Sequence, residues 1–138
     1  MRKCFPILTF LLILAFFMTA CDASNTGKPT TALSVEMSEF KFEPTSMTVF
    51  ANQPISLTLR NTGAVEHDLT ILKKGKVAAT PFDREKQAAD ILVDFKLASN
   101  QTGNYQFTLP EPGDYQVICA VQGHLESGMV AKISAVNP

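Results

Sequence analysis

Apolar and polar residues alternate with a period of two through most of the chain after residue 31. The run LSVEMS, which begins at Leu33, is typical, because every second side chain in it is apolar. This period indicates strands with one buried face. Turn-forming residues separate the runs at positions 51–54, 100–103 and 110–113. The pattern predicts an all-β sandwich or barrel of about eight short strands, near residues 33–37, 47–49, 55–59, 67–71, 91–97, 105–109, 115–119 and 129–135.

Residues 81–90, which we call the charged segment, interrupt this alternation. Asp83 is followed by REKQAA, a stretch compatible with a short helix that Asp83 caps at its N-terminus. A charged surface loop accounts for the same residues equally well. Both interpretations stay open at the level of the sequence.

The N-terminus has the pattern of an export signal. A short basic region at Arg2 and Lys3 precedes an apolar run over residues 7–20, which is shorter than the roughly 20 residues that span a membrane. The run ends in MTAC, which resembles a bacterial lipobox in which Cys21 is lipidated. We therefore predict a lipoprotein signal peptide over residues 1–20, a lipidated Cys21 with a flexible tether over 21–31, and one folded domain over 32–138. Soluble export after cleavage near Ala20 is the alternative.

The cysteine count restricts the chemistry of the domain. Of the three cysteines, Cys4 falls in the predicted signal and Cys21 is the predicted lipid site, which leaves Cys119 alone. An internal disulfide is therefore excluded. A single thiol is unusual in an exported domain, because exposed thiols oxidise outside the cytoplasm. A buried structural cysteine and a metal ligand are the two explanations.

Residues 119–129, which we call the ligand loop, contain Cys119, His124 and Met129 between two strand-like runs. His67, the only other histidine, begins a further run on its apolar phase. Taken singly, a histidine or methionine on such a phase is more often a packed core residue than a ligand. Two histidines, a cysteine and a weak axial methionine are together the ligand set of blue copper sites. The joint pattern favours one copper ion.

Several motifs together resemble a cupredoxin of the plastocyanin/azurin-like group. They are the C-x4-H-x4-M pattern of the ligand loop, the FKFEP run from Phe40, the LRN run ending at Asn61 and the PGDY turn from Pro112. The resemblance covers residues 32–138 and implies a Greek-key β-sandwich with one type 1 copper near one end. The ligands that it implies are His67, Cys119, His124 and Met129. It also implies that His124 is partly exposed and that redox partners dock on an apolar patch near His124 and Leu125.

Some neighbours of these ligands depart from the pattern of that group. Glu66 and Asp68 flank His67, where plastocyanins and azurins usually have an uncharged residue and an asparagine. That asparagine normally connects the two ligand loops, often through a serine or threonine after the cysteine, which is Ala120 here. Gln122 stands where many such loops carry proline. No ligand is lost, but the connection between the loops must differ.

These features predict a membrane-anchored electron-transfer protein in which copper cycles between Cu(I) and Cu(II). We expect a monomer without enzyme activity, anchored to the outer, periplasmic face of the cytoplasmic membrane and serving membrane-associated redox partner proteins. The alternative is a copper-binding or copper-delivery lipoprotein of the same fold with no dedicated redox partner. An open-site copper enzyme with Glu66 as an extra ligand is disfavoured, because Met129 fills the axial role.

Residue counts exclude other classes of protein. A binuclear copper centre of the oxidase type needs two cysteines in the loop, and multicopper oxidases and nitrite reductases need more than two histidines. With both histidines assigned to metal, no histidine remains as a general base. Without Arg2 and Lys3 the chain carries 10 basic and 13 acidic side chains. This balance gives no basic patch for nucleic acid.

Overall fold

The computed structural model describes residues 27–138, so the predicted signal peptide and Cys21 lie outside the described residues. No helix within the described part is long and apolar enough to cross a membrane. The described residues form nine strands and one 3-10 helix, Ala88–Asp90. The strands are β1 Ala32–Ser38, β2 Lys41–Glu43, β3 Ser46–Phe50, β4 Ile55–Asn61, β5 His67–Leu72, β6 Ile91–Leu97, β7 Thr102–Phe107, β8 Gly113–Ile118 and β9 Val130–Val136.

The strands build two sheets, with orders β2-β1-β4-β7 and β3-β9-β8-β5-β6. β1 runs parallel to β4 and β3 runs parallel to β9, whereas the other neighbours are antiparallel. The predicted all-β sandwich is confirmed, with nine strands instead of about eight. The additional strand is β2, which lies in the FKFEP run and is too short for alternation to reveal it.

The core forms between the two sheets from the apolar phase of each strand. β4 alternates strictly and buries Ile55, Leu57 and Leu59. Tyr115 and Ile133 belong to the same core from the opposite sheet. Burying one side chain of this kind contributes about 1.5–3 kcal/mol relative to leaving it exposed. The period-two pattern therefore places the core correctly.

Strand β5 is the exception, because all six of its residues are buried. The alternation predicts that His67, Leu69 and Ile71 face inward, and they do. Asp68 and Thr70, on the other phase, are buried as well, at 1% and 0% exposure. They are covered because Arg84 of the charged segment pairs with Asp68 on the outer side of the sheet. Arg84 lies 16 residues from Asp68 in the sequence, so the alternation within β5 does not predict this contact.

The charged segment adopts turns and not an α-helix. Asp83 Oδ1 accepts hydrogen bonds from the backbone N–H groups of Glu85 and Lys86, each at 3.1 Å. These bonds close a turn and do not cap a helix, because the 3-10 helix has Gln87 at its N-cap position and no side-chain cap. The turns lead directly into the 3-10 helix, Ala88–Asp90. A stretch of about seven residues gains too few hydrogen bonds to offset the cost of helix nucleation. The loop alternative describes this segment better.

The four predicted copper ligands lie at one end of the sandwich. β4 ends at Asn61 and β5 begins at His67, while β8 ends and β9 begins on either side of the ligand loop. β1 runs parallel to β4, with Ala32 beside Ser56 and Met37 beside Asn61. Strand β1 therefore begins at Ala32, at the end opposite to His67. Thr30 already pairs with Val49 of β3, so the last residues of the predicted 21–31 tether belong to the fold.

Candidate metal centre

Three of the four predicted ligand side chains converge in space. His67 Nδ1 lies 3.1 Å from His124 Nδ1. Cys119 Sγ lies 3.4 Å from His124 Nδ1 and 3.8 Å from His67 Nδ1. Among residues 27–138, these three side chains form the only cluster of histidine, cysteine or acidic groups close enough to share a metal ion.

The backbone of the ligand loop holds two of these side chains. The Cys119 N–H donates to the Met129 carbonyl at 3.2 Å, which closes the loop across its base. The Met129 N–H donates to the His124 carbonyl at 3.0 Å, and the His124 N–H donates to the Val121 carbonyl at the same distance. The two sheet strands that flank the loop therefore fix where Cys119 and His124 lie.

Met129, the fourth predicted ligand, lies where the loop meets β9. Its side chain is 0% exposed and belongs to the hydrophobic core. Through its backbone it contacts both Cys119 and His124. The structure therefore places Met129 at the base of the same loop, as the spacing of the motif requires.

Burial dominates the electrostatics of the cluster. Loss of solvent raises the pKa of the Cys119 thiol to about 11, so the thiol is protonated at neutral pH. Burial, followed by the neighbouring His124, lowers the pKa of His67, which favours a neutral imidazole. A bound cation reverses the preference of the thiol, because metal coordination requires the thiolate.

The donor set fits copper. It offers one sulfur and two imidazole nitrogens in a dry site, and Met129 adds a thioether at the base of the loop. Soft sulfur ligands favour Cu(I) and imidazoles also bind Cu(II). His67 Nε2 is buried and has no hydrogen-bond partner among the described residues, so the Nδ1 side of this ring carries its polar contacts. Such a ring is suited to binding a metal through Nδ1.

Asp68 supplies the connection between the ligand loops that the sequence left undefined. Its carboxylate Oδ1 accepts the Ala120 N–H at 2.6 Å, and its own backbone N–H donates to Cys119 Sγ at 3.5 Å. Burial raises the pKa of this carboxyl, while the Ala120 N–H and the Arg84 guanidinium oppose that rise. The expected asparagine is thus replaced by a carboxylate that still holds the residue after the cysteine.

Asn61 organises the chain just before His67, and sequence reasoning did not identify this role. Its amide Nδ2 donates to the Val65 and Leu97 carbonyls, at 2.8 and 2.9 Å. Its Oδ1 accepts the Gly63 N–H at 2.9 Å. The signals for it in the sequence are the LRN run that ends at Asn61 and the position of this asparagine on the apolar phase of β4.

Phe40 is a second contact that the alternation does not indicate. Its ring lies edge-on to His124, with centroids 5.4 Å apart and an interplanar angle of 84°. The backbone of Phe40 has a φ of 60°, which is uncommon for a bulky residue and directs attention to the site. Phe40 is 47% exposed, and the His124 beneath it is only 9% exposed. His124 therefore reaches solvent by a narrow edge.

Glu66 and Leu125, two other residues named from the sequence, are not members of this cluster. Glu66 is exposed and does not belong to the metal-binding cluster found in the described residues. Leu125, beside His124, is half-buried. Cys21 lies outside the described residues.

Comparison with known proteins gives consistent matches. The family model described as a cupredoxin-like domain matches residues 8–131. Auracyanin-A of Chloroflexus aurantiacus is 27% identical over 143 residues, which cover 86% of this chain and 88% of that protein. The copper-resistant cuproprotein CopI of Rubrivivax gelatinosus is 24% identical over 114 residues, covering 79% of this chain and 68% of CopI.

Solved structures show the same fold. Reduced auracyanin from Roseiflexus castenholzii superposes with a TM-score of 0.69 at 23% identity, over 79% of this chain and 99% of that one. Rusticyanin from Thiobacillus ferrooxidans gives a TM-score of 0.60 at 18% identity, over 82% and 88% of the two chains. At such identities the likeness concerns the fold alone. Because the family model spans most of its length, this chain belongs to the cupredoxin-like domain family.

Proposed function

We propose that this protein is a membrane-anchored type 1 copper electron-transfer protein whose ligands are His67, Cys119, His124 and Met129. The observation that carries the proposal is the convergence of one thiol and two imidazole nitrogens at the end of a β-sandwich. The similarity to Auracyanin-A supports it, because an auracyanin A structure is described as that of a "blue" copper protein. The bound copper supplies a one-electron couple, Cu(I)/Cu(II).

The chain contributes a rigid and dry frame to this chemistry. His67, Cys119 and Met129 are each 0% exposed, so solvent does not reach these three residues. The Asp68 N–H points at Cys119 Sγ and stabilises negative charge on the sulfur. Hydrogen bonds around the sulfur and a dry shell tune the potential of such sites. Because strands fix the ligands on both sides, little movement accompanies a change of charge.

We propose that electrons pass through the His124 end of the domain. His124 is the cluster residue with a solvent-exposed edge, and Phe40 and Val65 are exposed apolar side chains on loops at the same end. Together with Leu125 they form a small apolar surface suited to a transient redox partner. Replacing Phe40 by serine should slow electron exchange with such a partner while the visible spectrum of the site stays nearly unchanged.

Lipid anchoring at Cys21 is the second part of the proposal. The chain joins the folded domain at Thr30 and begins β1 at Ala32, opposite to the His67 end, so an anchored domain presents its metal centre away from the bilayer. Thr30 is hydrogen-bonded to the domain, so the tether after Cys21 has eight residues, 22–29, and spans about 14–17 Å on average. Incorporation of labelled palmitate into the wild-type chain, lost in Cys21→Ala, tests this. Equal labelling of both chains contradicts it.

The alternative function is copper binding or delivery without a dedicated redox partner. The similarity to the copper-resistant cuproprotein CopI favours this reading. The two functions separate in one pair of measurements. Fast electron exchange with a cytochrome and slow metal loss to a chelator support electron transfer, whereas slow exchange and rapid metal loss support delivery.

The decisive experiment is a copper titration of residues 22–138 followed by visible spectroscopy. The proposal predicts an intense blue thiolate-to-copper band at one copper per chain. The band should be absent in Cys119→Ser, which keeps the size of the side chain but removes the sulfur. A wild-type domain that binds no copper, or a band that persists in Cys119→Ser, contradicts the assignment.

A further inference from the structure

A buried ion pair lies directly behind the ligand loop. The Asp68 side chain is 2% exposed and its Oδ2 accepts a hydrogen bond from Arg84 Nη2 at 2.8 Å. The other terminal nitrogen of Arg84, Nη1, pairs with Asp94 Oδ2. The Thr70 hydroxyl lies within hydrogen-bonding distance of both carboxylates, 3.1 Å from Asp68 and 3.0 Å from Asp94. One guanidinium therefore bridges two carboxylates on neighbouring strands.

The pair is connected to the metal centre through Asp68. Its Oδ1 holds the Ala120 N–H at 2.6 Å, one residue beyond Cys119, and its backbone N–H donates to the Cys119 sulfur. Arg84 and Ala120 line the same surface cleft, in which the charged segment faces the ligand loop. Asp68 thus connects Arg84 to the Cys119 sulfur, because it contacts both of them.

Such a carboxylate needs a partner. A buried charge without compensation is strongly unfavourable. Removing one member of a buried ion pair is therefore destabilising, because the other member stays buried without an opposite charge. Arg84 forms a fork that matches two carboxylates at once, which a point charge does not. Its side chain is 32% exposed, so it links solvent to the buried Asp68.

We propose that Arg84 is a positioning residue of the metal centre, which fixes the Asp68 carboxylate on the ligand loop and offsets its negative charge. This inference rests on the proposed copper function. A nearby negative charge favours the more positive Cu(II) form, and a nearby positive charge favours Cu(I). Arg84→Gln should therefore lower the reduction potential, and Asp68→Asn should raise it. The charged segment becomes a functional part of the site through this one side chain.

The first test compares the copper-loaded full chain with its Arg84→Gln and Lys86→Gln variants. Lys86 carries the same charge in the same segment, but it pairs with Asp83 and is 82% exposed. At a fixed ambient potential we expect Arg84→Gln to reduce the Cu(I)/Cu(II) ratio roughly tenfold, equivalent to about 59 mV for a one-electron couple. Lys86→Gln should change it less than twofold, and Arg84→Lys, which keeps the charge but not the fork, should show only part of the loss. Equal ratios in Arg84→Gln and Lys86→Gln overturn the proposal.

A second comparison covers the case in which Arg84→Gln folds poorly. In the Asp68→Asn background no buried carboxylate remains, so loss of Arg84 is tolerated. There, adding Arg84→Gln should bring the raised potential back toward the wild-type value. If the double variant keeps the full shift of Asp68→Asn, the guanidinium does not act on the site.

A metal-free measurement separates this inference from the proposed function. Hydrogen exchange of the Ala120 amide in the apo protein should be at least tenfold faster in Arg84→Gln, because its carboxylate acceptor is no longer held. Lys86→Gln should leave it unchanged. A wild-type protein without a copper–thiolate band would overturn the proposed function. Unchanged exchange at Ala120 would overturn the role of Arg84 alone.

Discussion

Gly63 offers the most direct way to disturb the metal centre without removing a ligand. A Cβ atom at this position would lie 2.7 Å from His67 Nε2 and 2.8 Å from Glu39 Oε1. Both separations are shorter than ordinary contacts, so Gly63→Ala forces a neighbour to move. The His67 ring is fully buried, and its Nδ1 is the atom that faces Cys119 and His124. Displacing the ring therefore displaces a metal-binding atom.

The backbone at Gly63 cannot easily retreat from this clash. Its N–H donates to Asn61 Oδ1 at 2.9 Å, and its carbonyl accepts the Ser99 hydroxyl at 2.6 Å. Overpacking of this kind costs about 1–3 kcal/mol, whereas replacing glycine by alanine recovers about 0.4–1 kcal/mol through the unfolded state. The net loss of unfolding free energy is about 0–2.6 kcal/mol. Gly63→Ala should also weaken copper binding. We expect the copper affinity to fall about 10–100-fold, as it does when other residues that orient a metal ligand are replaced.

Gly103→Ala provides the matched control. A Cβ there would lie 2.7 Å from the Tyr105 ring, which is stacked on Phe95, and its three nearest atoms all belong to Tyr105 and not to His67. Thermal unfolding of the apo proteins and competitive copper titration measure stability and affinity separately. Both variants should lose stability, but only Gly63→Ala should lose affinity and shift the visible band. Equal copper affinity in the two variants would refute the reasoning about His67.

Three further predictions concern the frame and the thiol. Tyr115→Phe removes the hydroxyl that donates to the Glu111 carbonyl at 2.7 Å, so it should cost about 0.5–1.5 kcal/mol in denaturant unfolding with no change in the copper spectrum. Phe42→Ala empties a fully buried position of β2 and should cost about 3–5 kcal/mol in the same assay. The pKa of Cys119, raised from 9.0 to about 11, gives two linked effects. The apo fold should lose stability as the pH rises from 9 toward 11, because the unfolded thiol ionises first. Cu(II) binding at pH 8 should release one proton from this thiol, and weakly buffered titration against Cys119→Ser measures it.

Local chemistry is enough to predict most of the frame and the members of the cluster. Alternation identifies the strand faces because each strand has one side on the core, and the same phase places His67 and Cys119 inward. The ligand spacing is also local, since a loop closed between two strands brings Cys119, His124 and Met129 to one end. The short strand β2 was missed because three residues hold too little alternation to be recognised.

The contacts across the sequence could not be predicted in this way. Asp68 and Thr70 occupy the polar phase of β5, which predicts exposure, but both are buried beside Arg84 and Asp94. Phe40 reaches His124 from a turn between β1 and β2, through a backbone conformation that its residue type does not suggest. In each case the partner lies far away in the chain and on another element. A residue pattern read along one strand carries no information about such a partner.

The departure at Asp68 has a physical explanation once Arg84 is included. An asparagine side chain both donates and accepts hydrogen bonds, whereas an ionised carboxylate only accepts. Asp68 therefore keeps the accepting half of the expected connection, through the Ala120 N–H. Arg84 supplies donors and a positive charge from outside the two ligand loops. The Asp68–Arg84 pair thus takes the place of the single asparagine expected at position 68. It depends on the charged segment, in which the sequence shows no strand pattern. This is why the sequence revealed that the connection differs but not how it is made.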